Sequence, residues 1–326
     1  MYVLFILTQM ITLQTKANPW TEPISYSEDR SLKKWTGNTP GYWMGKKDEV
    51  HLKNIKTAKI KYITFNKGGS TISLRLHFTN NTDAAFKPDQ HHEQTVPRYE
   101  IAAYRLNRML GLSRVPPATW RTLTKKELMA KLKDVTWPER VRILREVNFT
   151  KDGLVHGEVS QWIPVIKNIP FETLEWRKKW LHWLAPWNQL EREQYIYASQ
   201  LSDMILFDFI TSNSDRFTGF NTQASPSGRR LYFMDNTLAF GKYEHGHPNV
   251  KLYLNLVRRF SLSLILKLKT LSVKSIKKEL AAEKSAPWSI LTDEEIGNVI
   301  KRRDYLMNYI VRTVAGFGWS KTVIFP

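Results

Sequence analysis

Leu206-Phe207-Asp208-Phe209-Ile210-Thr211-Ser212-Asn213-Ser214-Asp215-Arg216 decides the reading of this chain. An apolar helix running from Tyr195 ends abruptly there in Asn, Asp and Arg. Twenty residues after Asp215, a short apolar strand, Leu231-Tyr232-Phe233-Met234, delivers Asp235-Asn236. Two carboxylates at the ends of two buried elements can face one point, and phosphoryl transfer needs such a pair. One accepts the proton of the attacking hydroxyl, and the other holds Mg²⁺ or Mn²⁺ against the phosphates. Taken singly, the same residues also serve as a helix cap, an ion pair with Arg216 and an Asp-Asn turn. The pair therefore needs support from elsewhere in the chain.

That support lies upstream. Ile60–Phe65 and Thr71–Phe78 have the β-propensity and alternation of strands, with Asn66-Lys67-Gly68-Gly69-Ser70 as the turn between them. Asn80-Asn81-Thr82-Asp83 makes a second turn, and Ala84–Lys87 a third strand. Lys87 on that apolar strand suits a nucleotide phosphate, provided a carboxylate orients it. Glu100 is the natural partner, in the first turn of the helix predicted over Arg98–Leu110 and closed by Gly111. Gly68, Gly69 and Ser70 could lay backbone N–H groups over the phosphates, although a Gly-Gly turn is also an ordinary hairpin. Gly157–Ile163 reads as a further strand stopped by Pro164. Beyond Leu174 the chain reads as helices, interrupted by the strand at Leu231–Met234. Strands followed by helices predict an α+β fold in two lobes with a ligand cleft between them.

The strings Phe86-Lys87-Pro88, Tyr99 through Gly111, Arg114-Val115-Pro116-Pro117, Ser202 through Arg216, Met234-Asp235-Asn236 and Phe240-Gly241-Lys242-Tyr243 resemble the Golgi casein kinase and Four-jointed family of atypical secretory-pathway kinases. The resemblance covers about residues 60–260 and keeps the family's motif order. It implies an atypical two-lobed kinase-like fold, β-rich in the N-lobe and mainly helical in the C-lobe, using ATP with Mg²⁺ or Mn²⁺. Asp215 would be the catalytic base and Asp235 a metal ligand. Lys87 would contact the phosphates, Glu100 would position it or help bind metal, and Gln161 and Trp162 would lie on the hinge beside the adenine. Relatives outside the Golgi casein group place an Asn five residues after the catalytic Asp. Here that position is Phe220, and Asn221, the candidate second metal ligand, comes one later. Animal members carry disulfides, whereas this chain has no Cys.

The remaining composition bounds the partners. A net charge of +19 attracts acidic proteins, nucleotides or other polyanions. A basic polyanion- or nucleic-acid-binding module is the competing reading, with Trp176, Trp180, Trp183 and Trp187 as a stacking face; spacings of three and four also suit packing. No specific nucleic acid is expected. The acceptor expected from the resemblance is a Ser/Thr hydroxyl of an exported or lumenal protein, with a glycan or small-molecule hydroxyl as the alternative. Residues 1–17 read as a signal peptide, 18–50 as an irregular lead-in, 51–166 as the N-lobe and 167–326 as the C-lobe. No later run is long and apolar enough for a transmembrane span. The expected location is secreted, periplasmic or in a secretory-pathway lumen. Sequons at Asn80 and Asn148 would accept glycans in a eukaryotic lumen.

Overall fold

A computed structural model describes residues 41–67, 69–92, 95–218 and 221–326. The expected signal peptide and most of the irregular lead-in lie outside these residues. Five strands form one antiparallel sheet: β1 (Ile60–Phe65), β2 (Leu74–Phe78), β3 (Asp83–Pro88), β4 (Ala118–Thr124) and β5 (Leu154–Gln161). Their order is β1-β2-β3-β5-β4. Alternation explains the sheet's buried face. Leu74, Leu76 and Phe78 point inward from β2 and Ala84 and Phe86 from β3, while the residues between them stay partly exposed. Helices α1 (Asp48–Thr57), α3 (Lys125–Lys131) and α4 (Trp137–Glu146) complete this first core by burying Ile55, Leu128 and Ile143.

The helix expected after β3 is α2 (Arg98–Met109). Gly111 follows it at a φ of 71°, the left-handed conformation that ends a helix without a Cβ penalty. Ile101, Ala102, Ala103 and Leu106 of α2 belong to a second and larger core, built from the C-terminal half of the chain. So the helix carrying Glu100 packs with the helical lobe although it lies between strands of the sheet.

That lobe contains α5 (Leu174–Leu184), α6 (Arg192–Thr211), α7 (Pro248–Leu254), α8 (Leu262–Thr270), α9 (Val273–Leu280) and α10 (Asp293–Phe317). From Leu201 to Thr211 every residue of α6 is buried, which explains its lack of a polar face. The helix stops at Ser212, whose left-handed φ of 58° turns the chain into the Asn213–Asp215 segment. Short strands β6 (Lys167–Asn168), β7 (Gln223–Ala224) and β8 (Leu231–Tyr232) form a small sheet in the order β8-β7-β6. The fold is the expected two-lobed, kinase-like α+β architecture. Among the described residues, no helix is long and apolar enough to cross a membrane.

The tryptophan face of α5 is packing. Trp180 and Trp183 are buried, and Trp176 meets Phe171 and Trp183 edge to face. Only Trp187 of the four stands largely in solvent, at 70% exposure. A continuous stacking platform is therefore not formed.

Candidate phosphoryl-transfer site

Lys87 sits on β3, so its side chain is fixed by a sheet rather than a loop. Its Nζ donates to Glu100 Oε1 and to Asp235 Oδ1, each at 2.7 Å. Three residues far apart in sequence therefore meet on one ammonium. The helix α2 brings Glu100, and the turn after β8 brings Asp235, whose φ of 58° aims its carboxylate back at the sheet. In the register of β3 on β5, Lys87 lies directly opposite Glu158, a fully buried carboxyl. Burial opposes a charge on Lys87, but Asp235, Glu100 and Glu158 outweigh it and hold the ammonium well above its ordinary pKa. Lys87 in turn draws Asp235 below the usual carboxylate range, against burial. Burial first, and then the charge of Glu100, push Glu158 well above that range.

The β3–β5 contact that sets this register is close. A Cβ on Gly157 would stand 2.6 Å from the Lys87 carbonyl and 2.8 Å from the Phe86 ring, so only glycine fits.

Asp215 lies one step behind. Asn221 Nδ2 donates to Asp215 Oδ2 at 2.6 Å and to its carbonyl at 3.0 Å, and Thr218 Oγ1 donates to Oδ1. The backbone N–H of Asp215 donates to Asn213 Oδ1 at 3.2 Å. Three buried side chains then tie together the Asp215 loop, the Asp235 turn and α2. Arg216 donates to both oxygens of Asp208, to the carbonyls of Asn221 and Met234, and to Asn236 Oδ1 at 3.0 Å. Asn236 Nδ2 donates to Glu100 Oε2 at 3.0 Å, and Asn213 Nδ2 donates to the Asp235 carbonyl at 3.1 Å. One guanidinium and two amides thus lock the loop, the turn and α2 together.

A cleft of about 450 Å³ opens beside this network. Lys87, Glu100, Asp235, Asn221, Gly69, Gln161 and Trp162 all line it. Val115, Pro116, Ala118, Ile166 and Met234 add apolar walls that suit a flat base. Gln161 Oε1 lies 3.0 Å from His51 Nδ1, and the Arg75 guanidinium lies 4.3 Å over the Trp162 ring, so both of these side chains are held from outside the cleft. Asp215 is not among the described residues that line the cleft, whereas Asn221, which holds its carboxylate, is. Ser70 departs from expectation. It is exposed, and Arg142 of α4 holds its carbonyl, so the residue does not line the cleft. Gly68 lies outside the described residues.

Among the described residues, no three His, Cys, Asp or Glu side chains form a metal cage by themselves. The donor set fits a hard divalent ion that also takes phosphate oxygens: Glu100 and Asp235 already share one cation on the cleft wall. The nitrogen of Asn221 is committed to Asp215, leaving its Oδ1 as the atom able to accept a metal. Sequence reasoning missed Glu158, Arg216, Asp208 and Asn236 as parts of the site. The signal for Arg216 was its place beside Asp215; Glu158 became visible only through strand register.

The sequence model of the Four-jointed box protein middle domain matches residues 46–237, more than half of the chain. Similar curated proteins include the human extracellular serine/threonine protein kinase FAM20C, 23% identical over 73% of this chain and 48% of its own length. The human pseudokinase FAM20A is 24% identical over 56% of this chain and 42% of its own. The chain spans under half the length of these relatives. Among solved structures, the Golgi casein kinase with Mn and ADP bound superposes with a TM-score of 0.72 at 16% identity, covering 98% of this chain and 92% of that one. The hydra Fam20 with sugar superposes at 0.62 and 16% identity, over 84% and 91% of the two chains.

Proposed function

Because this chain belongs to the Four-jointed box family, we propose that it is an ATP-dependent phosphotransferase, moving the γ-phosphoryl group to a hydroxyl acceptor in the secretory pathway or outside the cell. The observation that carries this reading is the meeting of Glu100 and Asp235 on Lys87 Nζ, 2.7 Å each, on the wall of a nucleotide-sized cleft. In this reading residues 51–166 supply the N-lobe and 167–326 the C-lobe.

The residues then divide the work, with Glu100 serving twice. Lys87 turns its ammonium to the phosphates, and Glu100 keeps it aimed. Asp235 and Glu100, with Asn221 Oδ1, would hold the divalent ion, which when bound would neutralise charge on the phosphate oxygens. The Asp215 carboxylate orients the acceptor hydroxyl and takes its proton as the new P–O bond forms and the bond to the departing ADP breaks. Asn221 and Thr218 fix the angle at which that carboxylate is presented. Gly69, Gln161 and Trp162 line the nucleotide's side of the cleft.

For the acceptor, a Ser/Thr hydroxyl of an exported protein is the preferred reading. The +19 charge favours acidic protein chains by steering. A sugar hydroxyl is the second reading, favoured by a sugar-bound structure among the fold's neighbours. Labelled ATP with Mn²⁺ or Mg²⁺, offered to acidic proteins and to glycans in parallel, separates the two. Label on protein hydroxyls supports the first and label on sugar the second. A protein that binds ADP with Mn²⁺ but labels neither acceptor class would sink the transferase reading.

A further inference from the structure

We propose that helix α10 sets the spacing between the two halves of the site, with Glu295 and Arg302 as positioning residues. The inference rests on the roles assigned above to Glu100 and Asp215, and it concerns residues beyond the 46–237 span matched to the family.

Glu295 lies in the first turn of α10 and gathers four donors. Its Oε1 accepts from Arg98 Nη2 at 2.8 Å and from the Tyr99 hydroxyl at 2.5 Å. Its Oε2 accepts from Arg98 Nη1 at 2.8 Å and from the Thr292 backbone N–H at 2.7 Å. Arg98 and Tyr99 are the two residues immediately before Glu100. A second tie, from Arg98 Nη1 to the Ile290 carbonyl at 2.7 Å, joins the same pair to the approach of α10. The start of α2, and with it the Glu100 carboxylate, is therefore anchored to the C-terminal helix.

Two turns further along α10, Arg302 is completely buried. Its Nε donates to the Ile210 carbonyl at 2.6 Å, and its Nη1 to the carbonyls of Tyr243 at 2.8 Å and Gly241 at 3.4 Å. Ile210 is in the last turn of α6, five residues before Asp215. A buried guanidinium held by carbonyls, with no carboxylate in contact among the described residues, is costly, and an apolar side chain would fill the space more cheaply. Its place at the C-terminal end of α6 suits the negative end of that helix's dipole. Seven residues of a straight helix span about 10.5 Å. One rigid element thus grips the helix of Glu100 at one point and the helix leading to Asp215 at another, and fixes the distance between phosphate-side and acceptor-side groups.

The two ties should fail differently, which a purely structural role would not produce. The full chain is assayed by calorimetric binding of ADP with Mn²⁺, by steady-state transfer and by amide hydrogen exchange. Glu295→Gln should weaken binding of ADP with Mn²⁺ about tenfold, with a smaller change in turnover at saturation. Arg302→Lys should leave that binding constant unchanged, lower kcat about ten- to a hundredfold, and raise exchange over residues 211–218. Should Glu295→Gln not fold, Tyr99→Phe removes one of the four donors and should shift the same binding constant in the same direction by a smaller factor. Folded Glu295→Gln and Arg302→Lys proteins with parental binding, turnover and exchange overturn the proposal, as does an identical change in both. If the parent protein transfers nothing, the kinase reading fails, while binding and exchange still decide whether α10 positions the two halves.

Discussion

At the Lys87 corner of the cleft, one ammonium lies among the carboxylates of Glu100, Glu158 and Asp235. At the Asp215 corner, the side-chain donors to the carboxylate among the described residues are an amide and a hydroxyl, from Asn221 and Thr218. The first corner is a reservoir of negative charge, arranged to hold cations and to respond to metal, salt and protons. The second is a matter of aim, because neutral donors orient an oxygen without neutralising it. Binding should thus depend on the first corner and turnover on the second, with Arg216 and Asn236 as the mechanical link.

The comparison breaks most sharply at Asp215. Asp215→Ala should lower transfer about 10²–10⁴-fold while binding of ADP with Mn²⁺ stays near parental; an equal loss of both, by calorimetry and turnover, would merge the corners. Asp235→Ala should lose Mn²⁺-dependent nucleotide binding by roughly a hundredfold, measured as the difference between titrations with and without the ion. Gly157→Ala drives a methyl into the Lys87 carbonyl and the Phe86 ring, at 2.6 and 2.8 Å. It should destabilise the sheet by about 1–3 kcal/mol and raise KM for ATP more than it lowers kcat, as the displacement falls on the binding corner. A buried carboxyl outside both corners gives the background. Burial pushes Asp203 of α6 up to about 7, against the pulls of Ser261 and Arg114. Its folded pKa exceeds its unfolded value, so the folded protein holds an extra proton between roughly pH 4 and 7, and this contribution to stability falls as pH rises through that window. Asp203→Asn should flatten the pH dependence of the unfolding free energy there by on the order of 4 kcal/mol across the window, read by denaturant titrations at several pH values. The pH dependence of nucleotide binding should not change.

Much of this was legible in the sequence where local signals agreed. Ile60–Phe65 occurs as read, and the helix at Arg98 ends one residue early, at Met109, two residues before its glycine. Tyr195–Thr211 begins three residues sooner, at Arg192, and ends as expected. The Lys87–Glu100 pairing was read from an apolar strand followed by a helix with an acidic first turn, and Asp235 was placed at the end of a buried strand. The strand Ala118–Thr124 was not read, because Val115-Pro116-Pro117 looked like a break into loop and Thr-Trp-Arg-Thr has no apolar alternation. It is an edge strand that pairs with β5 alone. Glu158 was invisible for a different reason. Lys87 and Glu158 face each other only because β5 inserts between β3 and β4, and no local pattern encodes that order. Ser70 stands off the cleft lining, its carbonyl held by Arg142 from a helix seventy-two residues away. The four tryptophans kept helical spacing but became packing, apart from Trp187.

The ammonium shared by Glu100 and Asp235 makes this protein its own stand-in for a divalent ion. Many metal sites collapse or repel when emptied, because bare carboxylates face one another. Here a tethered positive charge takes up that strain, so stripping the ion with EDTA should leave the melting temperature within about a degree of the untreated protein, unlike domains that fold only around their metal. A divalent ion held by these two carboxylates would take the place of a side chain already in residence. Phosphates that drew the lysine aside would leave Glu100 and Asp235 free to hold the ion, so ion and nucleotide should bind as a pair, each weakly held without the other.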